Sequence, residues 1–442
     1  MHAPAPATPD QDPTLAALLA ARPHLAMHAH DGLVMEGVAL NAVADALGTP
    51  CWVYGAGTLR RRLDSLTAAL GGLARVHYAV KANDHLALLH LLGGAGAGAD
   101  VVSGGELARA LAAGIPPGRI VFSGVGKTAD ELRAALAAGI AQINVESAAE
   151  LDQISAVAAA AGRVAPVALR INPDIDAGTH AKITTGLAHN KFGIPYADAA
   201  ALYADAAARP GLLPVGLALH IGSQILSVAP YRAAFARAAA LVRDLRAAGQ
   251  LVTRLDCGGG LGIGYRDEAG AAPAAFAGAL RSAFTGLDLE LMVEPGRWLV
   301  GPAGLLLATV LLTKGGQGMP PFVVLDAAMT ELMRPALYDA WHGIVPLDPA
   351  RAAGPAVPVD VVGPVCESAD TFARARPLPP LLAGDRVAIL DAGAYGAVMS
   401  STYNARPLAP AALIDGARWA PIRRRQTVAE LWRDESVPTF MG

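Results

Sequence analysis

IVFSGVGKTADELRAALAAGIAQINVESAAELDQISAVAAAAG, residues 120–162, holds two short apolar runs, 120–123 and 142–146, each followed by an Ala/Leu-rich stretch with apolar residues at helical spacing. Gly139 and Gly162 follow those stretches, where a residue without Cβ is the usual helix stop. The same unit recurs on both sides. Strand-like runs at 76–82, 99–103, 167–172, 217–221, 254–257 and 290–293 bring the count to eight. Helical segments such as 106–113, 129–138, 148–161 and 231–248 lie between them, two of them closed by Gly114 and Gly249. Eight strand–helix units in succession imply a parallel sheet covered by helices. The number eight favours closure into a (β/α)8 TIM-type barrel over an open Rossmann-like sheet, so the expected fold class is α/β.

Beyond Arg297 the helical rhythm stops. Short apolar runs separated by turn residues, 305–312, 321–326, 357–362, 386–390 and 417–422, predict a mainly-β domain over 298–442. The piece 26–38, with Asp31-Gly32 near its middle, reads as a hairpin outside the barrel, so 24–41 is expected to join the β-domain and 42–297 to form the barrel. Residues 1–23 are expected to be poorly ordered. Their first part, 1–13, is rich in Pro and Ala and lacks the basic and apolar regions of a signal peptide.

With 442 residues, 53% hydrophobic and 17% charged, the chain is long enough for two hydrophobic cores. Its longest apolar stretch, 299–312, is broken by Gly301, Pro302 and Gly304 and falls short of the roughly 20 residues a spanning helix needs. A cytoplasmic protein with no membrane partner is expected. Three dispersed cysteines, Cys51, Cys257 and Cys366, make neither a disulfide framework nor a zinc spacing, and no metal is expected. A net charge of −3 with interspersed signs argues against a nucleic-acid partner. Of the 35 basic residues only five are lysines: Lys81, Lys127, Lys182, Lys191 and Lys314. In a chain that favours Arg, a retained Lys draws attention, because a guanidinium cannot deprotonate to form a Schiff base.

Function in such a barrel sits where strands end, and the eight strand ends read Lys81, Ser103, Ser123, Glu146, Asn172, His220, Gly258 and Glu294. The approach to solvent explains part of that polarity; three clusters go further. In Tyr78-Ala79-Val80-Lys81-Ala82-Asn83 a lysine inside an apolar strand is costly if charged and unpaired, which suits an amine that condenses with an aldehyde, although a lysine snorkelling out of the strand end remains open. His220-Ile221-Gly222-Ser223-Gln224 is followed by Asp256-Cys257-Gly258-Gly259-Gly260-Leu261-Gly262. Three consecutive glycines after the seventh strand fit a phosphate cradle or a plain turn. Glu294-Pro295-Gly296-Arg297 offers a carboxylate able to keep a pyridine nitrogen protonated and a guanidinium able to clamp a phosphate or carboxylate; a plain ion pair is the competing reading.

Taken in order, these motifs resemble those of the fold-type III pyridoxal-phosphate decarboxylases, whose barrel is alanine racemase-like, and among them most closely the diaminopimelate decarboxylases. The resemblance runs on through Met333-Arg334-Pro335-Ala336-Leu337-Tyr338, Cys366-Glu367-Ser368-Ala369-Asp370, Gly393-Ala394-Tyr395-Gly396 and Met399-Ser400-Ser401-Thr402-Tyr403-Asn404, covering nearly everything from residue 24 onward. It implies pyridoxal 5′-phosphate as cofactor. Lys81 would form the Schiff base, His220 would stack on the ring and Glu294 would pair with the ring nitrogen. Ser223 with Gly258, Gly259 and Gly260 would surround the phosphate, within a cofactor site that includes Pro295, Gly296, Arg297 and Tyr395. Arg297, Arg334, Tyr338 and Tyr395 would meet the substrate. Cys366, as proton donor, and Glu367, binding the distal ammonium, would reach into the partner subunit of a homodimer with shared sites. The implied reaction is decarboxylation of meso-2,6-diaminoheptanedioate to L-lysine and CO2, the last step of lysine synthesis, with reprotonation by Cys366 or Lys81. One departure stands out: Asp326-Ala327-Ala328-Met329-Thr330 replaces the family's Asp-Ala-Gly-Met-Asn, which implies a reshaped loop before Arg334. An ornithine- or arginine-type decarboxylase is the main alternative, but a substrate with one carboxylate does not need paired arginines. A racemase would want an arginine where Glu294 stands, and a non-catalytic carrier on this barrel usually lacks the β-domain.

Overall fold

Near-continuous apolar runs mark strands buried on both faces by covering helices, and the eight predicted runs are eight parallel strands: Ala74–Ala79, Gly98–Val101, Ile120–Phe122, Gln142–Val145, Ala165–Asn172, Leu212–Leu219, Arg254–Gly259 and Glu290–Glu294. Each pairs with the next, and the ring closes where Leu291, Met292 and Val293 pair with Ala74, Arg75 and Val76. Closure excludes the open-sheet alternative. The computed structural model describes residues 12–175, 191–315 and 318–441, which divide into a barrel unit (59–175, 191–264 and 269–300) and a β unit (12–58, 265–268, 301–315 and 318–441).

Three barrel helices begin at a Ser/Thr-x-x-Glu signature. Ser103, Thr128 and Ser147 accept from the backbone N–H of Glu106, Glu131 and Glu150, and Thr128 with Glu131 forms a reciprocal capping box. Each such cap contributes about 1 kcal/mol and fixes where the preceding loop ends. At the other ends Gly114, Gly139, Gly162 and Gly249 all take positive φ, as the helix-stop reading requires.

The β unit is built on a long mixed sheet in the order Thr371–Leu378, Val357–Val362, Phe322–Leu325, Gly304–Lys314, Cys51–Gly55, Ala411–Asp415, Arg418–Arg423, with Arg386–Ile389 pairing with both Gly304–Lys314 and Ile344–Pro346. The expected hairpin forms as Leu25–His28 against Gly32–Met35, joined by Val38–Ala39 in a separate three-stranded sheet. Its Leu33 and Met35 are fully buried and share a core with Leu305, Leu307, Ala388 and Leu390. Burying each such side chain contributes about 2 kcal/mol.

Two expectations are revised. Cys51–Gly55 is a central strand of the β unit, so the barrel does not begin at residue 42. Residues 12–23 are ordered, whereas the rest of the predicted tail, 1–11, lies outside the described residues. Thr14 caps the helix Leu15–Ala20, Leu18 is buried, and the Arg22 guanidinium pairs with Asp391. Asp12 accepts from Trp341 Nε1 at 2.8 Å and pairs with Arg266 at 2.7 Å and Arg376 at 3.0 Å. Arg376 is buried, which pushes its guanidinium down to about 10 against the pull of Asp12.

Candidate active site

The first barrel strand stops at Ala79, and Lys81 sits in the single 3-10 turn Val80–Ala82 that follows. This corrects the picture of a lysine inside a strand. Its Nζ donates to Asp100 Oδ2 at 2.6 Å, so the ammonium meets a carboxylate that the neighbouring strand buries completely. Asp100 Oδ1 accepts no hydrogen bond from any described residue. The amine is thus aimed and charge-balanced, with about a third of its side chain exposed.

Glu294 ends the eighth strand and is buried among acids. Burial first, then the charges of Asp100 and Asp256, push its carboxyl well above the ordinary carboxylate range, and Asp256 is raised too, chiefly by burial. Asp256 is fully buried; it accepts from Gly258 N–H and from Asn144 Nδ2, both at 3.0 Å, and Asn144 donates to Ser123 Oγ at the same distance. His220 Nδ1 lies 3.9 Å from Glu294 Oε2, and burial, with the cations Arg170 and Lys81, drives its imidazole well below its usual value. That shift favours the neutral ring, whose Nδ1 accepts from Gly259 N–H at 3.5 Å. A cationic ring N–H set against Glu294 offsets the cost of this buried carboxylate, which is the fit expected for a pyridinium.

The loops after the sixth and seventh strands are zipped together by Ile225 N–H donating to Gly260 O at 2.9 Å and Gly262 N–H donating to Ile225 O at 3.0 Å. A Cβ on Gly259 would fall 1.8 Å from Glu294 O, and one on Gly260, at φ +90°, 2.2 Å from Gly222 O. No other residue fits either position. Arg297 reaches across to donate to Ser223 Oγ at 3.2 Å, placing a guanidinium and a hydroxyl beside this glycine cradle. The arrangement suits a phosphate dianion. Lys81, His220, Ser223, Gly258, Gly259, Gly260, Glu294, Pro295, Gly296 and Arg297 all belong to the barrel unit and stand at or just beyond the C-terminal ends of its strands.

Several groups that hold the mouth in shape were not singled out from sequence for any chemical role. Glu146 receives Arg170 at 2.6 Å and the N–H groups of Gly193 and Gly124 at 2.8 and 3.3 Å. Lys127 donates to Gly124 O, Asn144 O and Glu150 Oε1, each at 2.7 Å. Asp100, Asn144 and Asp256 carried one usable signal: each is a polar residue flanked on both sides by apolar residues within a strand.

Glu106 is half-buried, and that burial pushes its carboxyl up to about 7, opposed by the Val102 N–H, which donates to it at 2.8 Å. Its folded pKa lies above the unfolded one, so its stabilising contribution is full below the unfolded pKa and is lost as pH rises through about 7. Glu106→Gln keeps an acceptor for Val102 and removes the titration. In the cofactor-free protein its stability advantage over the unsubstituted chain should grow between pH 5 and pH 8, by up to about 3 kcal/mol. Urea melts at the two pH values check this, and an equal difference at both would refute it.

The remaining predicted residues belong to the β unit. Arg334 opens the short helix Arg334–Tyr338 and is buried, while Tyr338 and Tyr395 are partly exposed, Tyr395 at φ +54°. Cys366 and Glu367 are exposed on a tight loop whose Asp370 carboxylate accepts from Val365 N–H at 2.8 Å and Met329 N–H at 2.6 Å. In the divergent segment before Arg334, Thr330 is buried and its hydroxyl donates to Glu331 at 3.1 Å.

Residues 56–301 match the family model described as pyridoxal-dependent decarboxylase, pyridoxal binding domain. The diaminopimelate decarboxylase of Zymomonas mobilis is 46% identical over 409 residues, covering 91% of this chain and 96% of the relative. Among solved structures, diaminopimelate decarboxylase from Helicobacter pylori complexed with L-lysine superposes with a TM-score of 0.86 at 40% identity, covering 90% of this chain and 99% of that one. The enzyme of the same name from M. jannaschii, also with L-lysine, gives 0.89 at 33% identity over 96% of this chain and all of that one.

Proposed function

The chain belongs to the diaminopimelate decarboxylase family of pyridoxal-dependent enzymes, and from that premise we propose the roles of its residues in removing one carboxylate of meso-2,6-diaminoheptanedioate to give L-lysine and CO2. It is a carboxy-lyase that uses pyridoxal 5′-phosphate. When bound, the cofactor supplies an aldehyde for the substrate amine and a protonated ring that accepts the electron pair left by departing CO2. The observation that carries the residue assignment is the buried Glu294 carboxyl, whose charge calls for a cation at the mouth that also presents Lys81 and the glycine cradle.

Lys81 would provide the amine that holds the aldehyde, and Asp100, which accepts from its Nζ at 2.6 Å, would keep that amine in place. Glu294 retains the proton on the ring nitrogen. Neutral His220 offers a flat face to the ring, and Ser223, Gly258, Gly259, Gly260 and Arg297 take the phosphate, with Pro295, Gly296 and Tyr395 completing the cofactor site. Arg297, Arg334, Tyr338 and Tyr395 bind substrate carboxylates. Cys366 Sγ, or Lys81 Nζ, returns a proton to the α-carbon, and Glu367 receives the distal ammonium. Both Cys366 and Glu367 project from their own subunit, which supports a homodimer in which they serve the partner's site. Cytoplasmic residence belongs to the same reading, supported by three free thiols; among the described residues no helix is long and apolar enough to cross a membrane.

The test is a substrate panel with purified holoenzyme. CO2 release should be at least about 100-fold faster, as kcat/KM, with meso-2,6-diaminoheptanedioate than with ornithine, arginine or lysine, since removing a carboxylate strands a buried guanidinium. Faster turnover of ornithine would reverse the assignment of substrate.

A further inference from the structure

We propose that His342 is a positioning residue for substrate recognition, holding the guanidinium of Arg334 through its Nε2 lone pair. The inference rests on the reading above that Arg334 meets a substrate carboxylate. Nothing in the sequence motifs marks His342, which lies eight residues beyond Arg334 and is 2% exposed.

The hydrogen-bond chemistry leaves one solution. An arginine side chain has donors only, so the 2.7 Å contact between Arg334 Nη1 and His342 Nε2 requires an unprotonated Nε2. The other ring nitrogen, Nδ1, is 2.7 Å from the Leu390 carbonyl oxygen, which only accepts, so Nδ1 carries the proton. The neutral Nδ1–H form alone satisfies both neighbours. Leu390 in turn donates its N–H to Gly343 O at 2.8 Å, at the end of the sheet strand Arg386–Ile389. The imidazole is therefore a bracket between the end of a strand paired on both sides and a long side chain on a five-residue helix.

Two further contacts hold the bracket square. Tyr265 meets the His342 ring edge-on at 5.2 Å and lies under the Arg334 guanidinium at 4.7 Å. Arg376 Nη1 donates to the His342 backbone carbonyl at 2.7 Å. An arginine fixed in this way binds a carboxylate without first losing the freedom of its long side chain, so the gain appears in substrate affinity and not in the chemical step.

Two amide substitutions separate this role from a merely structural one. In His342→Gln the amide oxygen reaches toward the place of Nε2 and still accepts from Arg334, whereas His342→Asn reaches only Leu390. In the holoenzyme, His342→Asn is expected to raise KM for meso-2,6-diaminoheptanedioate about 10- to 100-fold, with kcat within about threefold. His342→Gln should stay within about fivefold in KM. Titrating the absorbance of the bound cofactor with L-lysine should show the same order of affinities, with unchanged cofactor content in both variants. Equal KM values for the two amides, or kcat and cofactor content falling together with KM, would overturn the proposal. Arg334→Gln measured alongside keeps the two readings apart. An unchanged KM there removes Arg334 from substrate binding, whereas a raised KM there, with none in His342→Asn, removes His342 alone. Should the Asn variant fail to fold, His342→Phe, which keeps the ring against Tyr265, takes its place with the same expected rise in KM.

Discussion

Lys81→Arg is expected to lower turnover by about 10⁴-fold or more, equivalent to about 5.5 kcal/mol in the barrier, while leaving the fold intact. The guanidinium can keep the ion pair that Lys81 Nζ makes with Asp100 at 2.6 Å, so the buried carboxylate is not stranded. It cannot condense with an aldehyde, because it does not give up a proton at neutral pH. Borohydride reduction of the holoenzyme followed by peptide mapping gives the second readout, with the label on Lys81 in the unsubstituted protein and on no lysine in the variant. Lys127 is the instructive control. Its Nζ donates to Gly124 O, Asn144 O and Glu150 Oε1, which uses all three of its protons, and its side chain is almost completely buried. A label there, or continued turnover in Lys81→Arg, would defeat the assignment.

Glu294→Gln should reduce kcat by about 10³-fold, roughly 4 kcal/mol, with a smaller change in cofactor content. The carboxyl lies among Asp100, Asp256 and His220, and its charge is strongly disfavoured until a cation arrives. A ring nitrogen facing Glu294 would be held protonated by that charge, as proposed, and a neutral amide would supply none of it. The cofactor-free variant should also be more stable than the parent at neutral pH, since an uncompensated buried carboxylate has gone. Activity and apo-protein stability should therefore move in opposite directions. Parallel measurements of kcat and of the urea midpoint check this, and a variant that loses both or neither would contradict the role given to Glu294.

The barrel was readable because its strands are short, apolar and regularly spaced, and the residues at their ends lie where the fold puts chemistry. Lys81 was found for a reason that needed revision, because the strand ends at Ala79 and the amine meets Asp100 across the ladder. Such a pairing depends on which residues of adjacent strands face each other, and a linear sequence does not display it. The same limit hid Asp256 and Asn144, which look like isolated polar residues until the barrel closes around them. Cys51–Gly55 was missed as a strand of the β unit because its partners, Gly304–Lys314 and Ala411–Asp415, lie far along the chain. Ile344–Pro346, Thr371–Leu378 and Ala411–Asp415 escaped as well; prolines in the first two and charged residues in the second obscure the alternation. Cys366 and Glu367 are a different case, since both side chains are exposed and take their proposed roles from resemblance alone.

Asp12 has a reach out of proportion to its place near the start of the chain. It steadies Arg376, Arg376 grips the carbonyl of His342, and His342 braces Arg334. These links form a lever train running from the N-terminal segment to the guanidinium proposed to grasp substrate. Shortening the chain past residue 12, a trim that looks harmless on a Pro- and Ala-rich leader, would slacken the train at its far end.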